Sequence, residues 1–288
     1  MSMEKILVTG ATGALGSRIV QQLLRKMPAA AIVAGGRKAE KAQALVAQGV
    51  EFRSVDYDNA GSLDAALAGI TRVVLVSGTD VGKRVPQHKA VIDAATRAGV
   101  KLLAYTSILR ATESPLLLAA EHRGTEEVLA AGKLPHILLR HGWYTENSTN
   151  SAKLAIQYGV VQTCAGDGRF STASRDDYAE ADAALILRGD HAPGQRYELA
   201  GSSSFTRQQY ADLLSRKSGK NVACVQLSQE DYKAALVKAG LPEYVADIIS
   251  NSDAGAAKGW LFDDSRTLEN IIGHAPATLE QTLDSALA

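Results

Sequence analysis

Three glycines at a spacing of three follow a short, fully apolar run: after Lys5-Ile6-Leu7-Val8 comes Thr9-Gly10-Ala11-Thr12-Gly13-Ala14-Leu15-Gly16. Beyond them Leu15, Ile19 and Leu23 repeat at i, i+4 and i+8, one face of a helix. A buried strand that turns on glycine straight into a helix is the opening of a βαβ unit with a nucleotide-binding loop. In such a turn the first glycine bends the chain sharply and the second lets backbone N–H groups approach a pyrophosphate. The third lets the helix close on the sheet, and the helix N-terminus adds partial positive charge. Glycine spacing by itself also fits a plain tight turn. Its place at the head of a strand–helix series favours dinucleotide binding.

That series runs through half the chain. Strand patterns at 31–34, 50–55, 73–76, 102–106 and 136–140 alternate with helical ones at 41–48, 62–68, 86–98 and 116–131. Gly49 and Gly99 sit just past helix ends, and Pro86 lies in a first turn. Such alternation predicts right-handed crossovers and an α/β fold of the Rossmann type, a doubly wound parallel sheet with helices on both faces. After Arg140 the rhythm breaks into shorter, glycine-punctuated pieces. A helix opens at Thr206 and ends at Gly219, and further helical stretches lie near Asp231, Val245 and Leu279. The expected organisation is a nucleotide-binding domain over 1–145 and a smaller C-terminal substrate lobe over 146–288, some of whose segments return to the first domain.

The second strand refines the ligand. Enzymes that use NAD place a carboxylate there for the ribose 2′-hydroxyl, whereas this chain reads Gly35-Gly36-Arg37-Lys38 with no acid before Glu40. A guanidinium offers a planar fork of donors to a 2′-phosphate that a carboxylate would repel, so NADP(H) is the expected cofactor. Asp56, after the third strand, has two open roles: accepting from the adenine amino group, or capping the following turn.

Other classes are disfavoured. Lys plus Arg and Asp plus Glu are 31 each, so the chain has no basic excess for nucleic acid. No apolar run is long enough for a membrane span, and no signal peptide precedes the first strand, so a cytoplasmic location is expected. The two cysteines and six histidines show no metal-ligand spacing. There is no G-x-S-x-G elbow and no P-loop. None of the nine tyrosines has lysine four residues on, so the Tyr-x-x-x-Lys pair of the common short-chain reductases is absent. The acceptor must take hydride without that acid.

The turn Thr9–Gly16, Arg37, and Leu139-Arg140-His141-Gly142-Trp143-Tyr144 resemble atypical short-chain dehydrogenases of the NmrA-like type. The likeness extends to Ala104-Tyr105-Thr106-Ser107, Glu121-His122, Lys258-Gly259 and Leu261-Phe262-Asp263-Asp264. It implies that Gly10, Ala11, Thr12, Gly13, Ala14 and Leu15 hold the pyrophosphate and Arg37 the 2′-phosphate. Leu75, Val76 and Ser77 would line adenosine and ribose, and Leu139, Arg140, His141, Gly142, Trp143 and Tyr144 the nicotinamide side. His141 stands where the resemblance leads one to expect asparagine, which removes any side-chain amide contact there.

Three residues are candidates at the substrate. His122, on the helix that carries the tyrosine–lysine pair in ordinary relatives, shares a face with Thr125 and Glu126. With an ordinary pKa it would donate a proton; alternatively it is a helix-surface histidine paired with Glu126. Tyr105 and Tyr144 would stack on a flat acceptor or donate to its oxygen, as would Trp143, unless they are core residues. The expected activity is flavin-independent hydride transfer from NADPH to a small quinone, by a monomer or homodimer with no metal. A non-catalytic NADP(H) sensor and a reductase of dyes or imines are the alternatives.

Overall fold

The computed structural model describes residues 4–288. Two compact units emerge. The first comprises the chain up to Ala111 together with Glu121–His141 and Arg175–Glu198; the second comprises Thr112–Ala120, Gly142–Ser174 and Leu199–Ala288. Arg175–Glu198 thus lies in the first unit although it comes late in the chain, and Thr112–Ala120 lies in the second although it comes early.

The first unit is built on strands β1 (Ile6–Val8), β2 (Ile32–Gly36), β3 (Glu51–Ser54), β4 (Arg72–Leu75), β5 (Leu102–Ile108), β6 (His136–His141) and, later in the chain, β8 (Gln195–Leu199). They form one sheet in the order β3-β2-β1-β4-β5-β6-β8. The pairings among β1 to β6 are parallel. Gly194 N–H bonds to His136 O, and Gly142 N–H bonds to Leu199 O, so β8 runs alongside β6 in the same direction. β1, β2 and almost all of β5 and β6 are buried, as expected of strands covered on both faces. This is the doubly wound α/β arrangement, and its strand order reverses between β1 and β4.

The helix Gly16–Leu24 buries Ile19, Val20 and Leu23, one of the faces its spacing predicts. It packs against the helix Arg175–Leu187, where Ala179 and Ala183 are fully buried and allow close approach. The segment expected as one helix over 41–48 is a 3-10 turn, Ala39–Ala42, followed by one α-helical turn, Gln43–Val46. Gly49, with φ at +86°, closes it.

The second unit holds β7 (Val160–Thr163) and β9 (Ala223–Gln226), paired in parallel, with helices around them. The helix Arg207–Ser218 starts with a capping box, Thr206 against Gln209, and ends at left-handed Gly219. Its core carries an ion pair: Arg207 Nη2 donates to Asp253 Oδ1 at 2.9 Å and Nη1 to Ser148 Oγ at 2.9 Å. The guanidinium lies 4.2 Å from the Phe170 ring centroid, and Thr163 Oγ1 donates to Asp253 Oδ2 at 2.6 Å. All of these groups partner one another, so the cluster is a structural clasp.

Candidate active site

In the first unit the glycine turn has the form that a phosphate requires. Gly10 takes φ +58°, in the left-handed region where glycine is favoured. A Cβ at Gly16 would lie 2.3 Å from Gly10 O, so only glycine lets the helix start this close to the strand end. Leu15, at the N-cap, offers no side-chain acceptor. Among the described residues the N–H groups of Thr12, Ala14 and Leu15 donate to no protein group. Unsatisfied donors at a helix N-terminus form an anion site.

Ala11 N–H donates to Gly35 O at 2.9 Å, which ties this turn to the end of β2. Two residues on, Arg37 and Lys38 are exposed, and their side chains make no hydrogen bond or ion pair among the described residues. Of the two roles open to Asp56, the structure shows turn closure: its Oδ1 accepts from Asp58 N–H at 3.1 Å. The residues present thus fit a dinucleotide carrying a further phosphate near Arg37.

Tyr57, which the motif reading passed over, braces the switch point. Its hydroxyl donates to Thr9 Oγ1 at 2.6 Å and lies 3.0 Å from Val76 O, and burial pushes it up to about 12. Thr9 Oγ1 in turn accepts from Val76 N–H at 3.0 Å. The ends of β1 and β4 are fastened together where the sheet reverses order.

Beyond β4 and β5 lies a buried polar cluster. Gly78 N–H donates to His88 Nε2 at 2.9 Å, so the His88 proton sits on Nδ1 and points to Thr125 Oγ1, 2.9 Å away. Tyr105, with no exposed surface, has its hydroxyl 2.9 Å from His122 Nδ1. Tyr105 cannot stack on a substrate, and burial raises its hydroxyl well above the ordinary range. Burial, reinforced by the Arg84 charge, lowers His88 to about 4 and His122 to about 3.

His122 is therefore neutral at pH 7 and has no imidazolium proton to give. Nor is it a surface residue paired with Glu126. It is buried against Tyr105, and Glu126 has other partners.

The His88 and His122 rings are both depressed below 6.5, so between pH 6.5 and about 4 the unfolded chain binds protons that the folded rings refuse. Stability should fall by on the order of 3 kcal/mol for each ring as pH drops through that window. Urea midpoints across the range measure it, and His122→Gln should flatten the slope. An equal slope in the variant contradicts the assignment.

Glu126 and Arg140 form the centre of a second network. Arg140 Nε and Nη2 fork onto Glu126 Oε1 and Oε2 at 2.9 and 2.5 Å, and Ser107 Oγ donates to Oε1 at 2.6 Å. Arg140 Nη1 reaches Glu198 Oε1 at 2.8 Å, and Glu198 Oε2 accepts from Arg110 N–H at 2.8 Å. Burial opposes the Arg140 charge, but Glu126 and Glu198 outweigh it and hold the guanidinium protonated. The Leu139 and Arg140 side chains thus face inward, leaving only their backbone to a ligand.

His141 Nε2 lies 2.8 Å from Asp182 Oδ1, and its ring stacks on Tyr178 with centroids 4.5 Å apart. Asp182 is wholly buried; desolvation raises its pKa although His141 opposes the rise. Gly142, Trp143 and Tyr144 belong to the second unit, where Tyr144 bridges to Ala173 and both aromatic residues keep partial exposure. The first unit gathers Gly10 to Leu15, Arg37, Leu75 to Ser77, Tyr105, His122 and His141 at and around the strands' carboxyl ends, where ligands of doubly wound sheets bind.

A model of the NmrA-like family matches residues 2–281. The chain belongs to the NmrA-like family. Within that family it is 48% identical over 278 residues to quinone oxidoreductase 2 of Escherichia coli (strain K12), covering 96% of this chain and 97% of that one. The crystal structure of an NADPH-dependent quinone oxidoreductase from Escherichia coli in complex with NADPH superposes with a TM-score of 0.95 at 47% identity, covering 98% of this chain and all of that one. The triphenylmethane reductase of Citrobacter sp., complexed with NADP(H), gives 0.92 at 35% identity over 98% and 100% of the two chains. Among the described residues no helix is long and apolar enough to cross a membrane, and no His/Cys/Asp/Glu group could hold a metal ion.

Proposed function

We propose that this NmrA-like protein is an NADPH-dependent reductase that passes hydride directly to a quinone, without flavin. The observation that carries the reading is the unpaired Arg37 beside a phosphate-ready glycine turn, in a chain nearly half identical to a quinone oxidoreductase. Bound NADPH supplies a hydride donor. The glycine turn, Gly10 to Leu15, holds the pyrophosphate through backbone N–H groups, and Arg37 the 2′-phosphate. Leu75, Val76 and Ser77 line the adenosine and ribose. The segment from Leu139 to Tyr144 follows the nicotinamide, with Leu139 and Arg140 offering backbone alone.

The neutral His88 and His122 decide the kind of acceptor. Neither they nor Tyr105, whose hydroxyl is held protonated, is an acid matched to pH 7. A quinone suits such a site, because taking hydride makes its ring aromatic and positioning supplies much of the rate. His122 and Tyr105 then serve as a neutral hydrogen-bonded support, and Trp143 and Tyr144 are the aromatics left to touch the acceptor. Likeness to the triphenylmethane reductase favours a second acceptor class, cationic dyes, which also need hydride and no acid. The reading carries with it a cytoplasmic location and a monomer or homodimer.

Flavin-free protein should oxidise NADPH with simple benzoquinones well above the uncatalysed rate. No turnover across a panel of quinones would contradict the proposal. Arg37→Glu should weaken NADPH binding by about 100-fold while leaving NADH binding little changed, because a phosphate then meets a carboxylate. Fluorescence titration of both dinucleotides reads the change.

A further inference from the structure

Arg84 opens the helix Arg84–Arg97, in the loop that follows β4 at the switch point. Its residue surface is 8% exposed, yet among the described residues its side chain donates no hydrogen bond, and Nε and Nη1 are both buried without a partner. What exposure the side chain keeps therefore lies outside those two nitrogens. The nearest carboxylate, Glu121, is 3.9 Å away, with its Oε1 engaged by Gly82 N–H and Arg84 N–H. A buried cation so weakly paired destabilises the folded chain. It also stands at the positive end of a 14-residue helix, next to Lys83 at the N-cap and with no acidic residue in the first turn. The rings facing it, His88 and His122, carry no compensating charge. Apart from distant Glu121, the local surroundings disfavour a cation here, unless an anion arrives.

We propose that Arg84 stabilises the negative oxygen that a quinone acquires on reduction, a role that nothing in the motif pattern assigns. The inference rests on the quinone reading given above. The C4–H bond of the dihydronicotinamide breaks and NADPH is oxidised to NADP+; the hydride carries two electrons to the quinone, an O–H bond forms at one oxygen, the ring becomes aromatic, and the other oxygen takes the charge as a phenolate. Arg84 holds that phenolate until a proton from water neutralises it. A guanidinium stays charged at any working pH, so the site needs no titrating acid. The absence of the tyrosine–lysine pair is then explained by charge stabilisation replacing proton donation.

The test uses 4-nitrophenolate as a stand-in for the reduced quinone and 4-nitroanisole as its neutral counterpart. Both are titrated into the full chain saturated with NADP+. Wild type should bind the phenolate about tenfold more tightly than R84M, and nitroanisole equally, with R84K intermediate. The thermal midpoint of R84M should be no lower than wild type, since an ill-paired buried charge has been removed. Equal phenolate affinity in R84M overturns the proposal. So does a tenfold loss of NADP+ affinity, which would make Arg84 a cofactor ligand. If R84M does not fold, R84K decides: weaker phenolate binding supports the role, and unchanged binding overturns it. Wild type that turns over no quinone but shows the Arg84-dependent phenolate preference would reject the quinone reading and keep the anion site.

Discussion

Arg140→Met should destabilise the protein by about 3–5 kcal/mol, read as a fall in the urea midpoint at pH 7. The magnitude comes from what is left behind. Glu126 is 5% exposed and would keep only the Ser107 hydroxyl of the partners that now surround it. Methionine recovers packing volume, but it offers nothing to a buried carboxylate. The double variant Arg140→Met with Glu126→Leu should regain most of the loss, because both charges are then gone. A loss below about 1 kcal/mol in the single variant would mean that water reaches Glu126 and that the network is not closed.

Gly16→Ala should abolish NADPH binding and cost about 3 kcal/mol of stability. Two effects oppose each other. Alanine at a helical position gains up to about 1 kcal/mol over glycine. Against this, its Cβ would meet Gly10 O at 2.3 Å, Gly10 C at 2.7 Å and Ala11 Cα at 3.0 Å. All three are backbone atoms, so no side chain can swing away. The strand end and helix start must separate, and the pyrophosphate loop opens with them. Calorimetric NADPH binding and thermal melting check the two halves of the expectation. Binding within tenfold of wild type would show that the loop does not depend on this approach.

The parts of the fold legible in the sequence were those encoded locally. The glycine turn declares itself because a strand, a turn and a helix face follow one another within about twenty residues. The helix start at Thr206 and the glycine stops at Gly99 and Gly219 are likewise short-range signals. The helix Arg175–Leu187 was not legible. It is buried on nearly every side, including Asp177 and Asp182, so it shows no amphipathic period. β8 follows it to the edge of the sheet across a long stretch of chain, and no local pattern announces that return.

The site divides in the same way. The place of Arg37, exposed just after β2, was legible because it depends on local pattern alone. The helical face shared by His122, Thr125 and Glu126 was also visible, but its partners were not. Tyr105 comes to His122 from β5, His88 to Thr125 from another helix, and Arg140 to Glu126 from β6. Burial by these long-range neighbours changes His122 from an acid with an ordinary pKa into a neutral ring. Tyr57 and Arg84 carried no sequence signal; tertiary contacts and their absence reveal them.

Isothermal titration with NADPH and with NADH most directly tests whether this chain is an NADPH enzyme. The Arg37 guanidinium should make NADPH bind about 100-fold more tightly, and the advantage should shrink as salt rises, since the contact is exposed. Equal affinity for the two dinucleotides, or no heat with either, would contradict it.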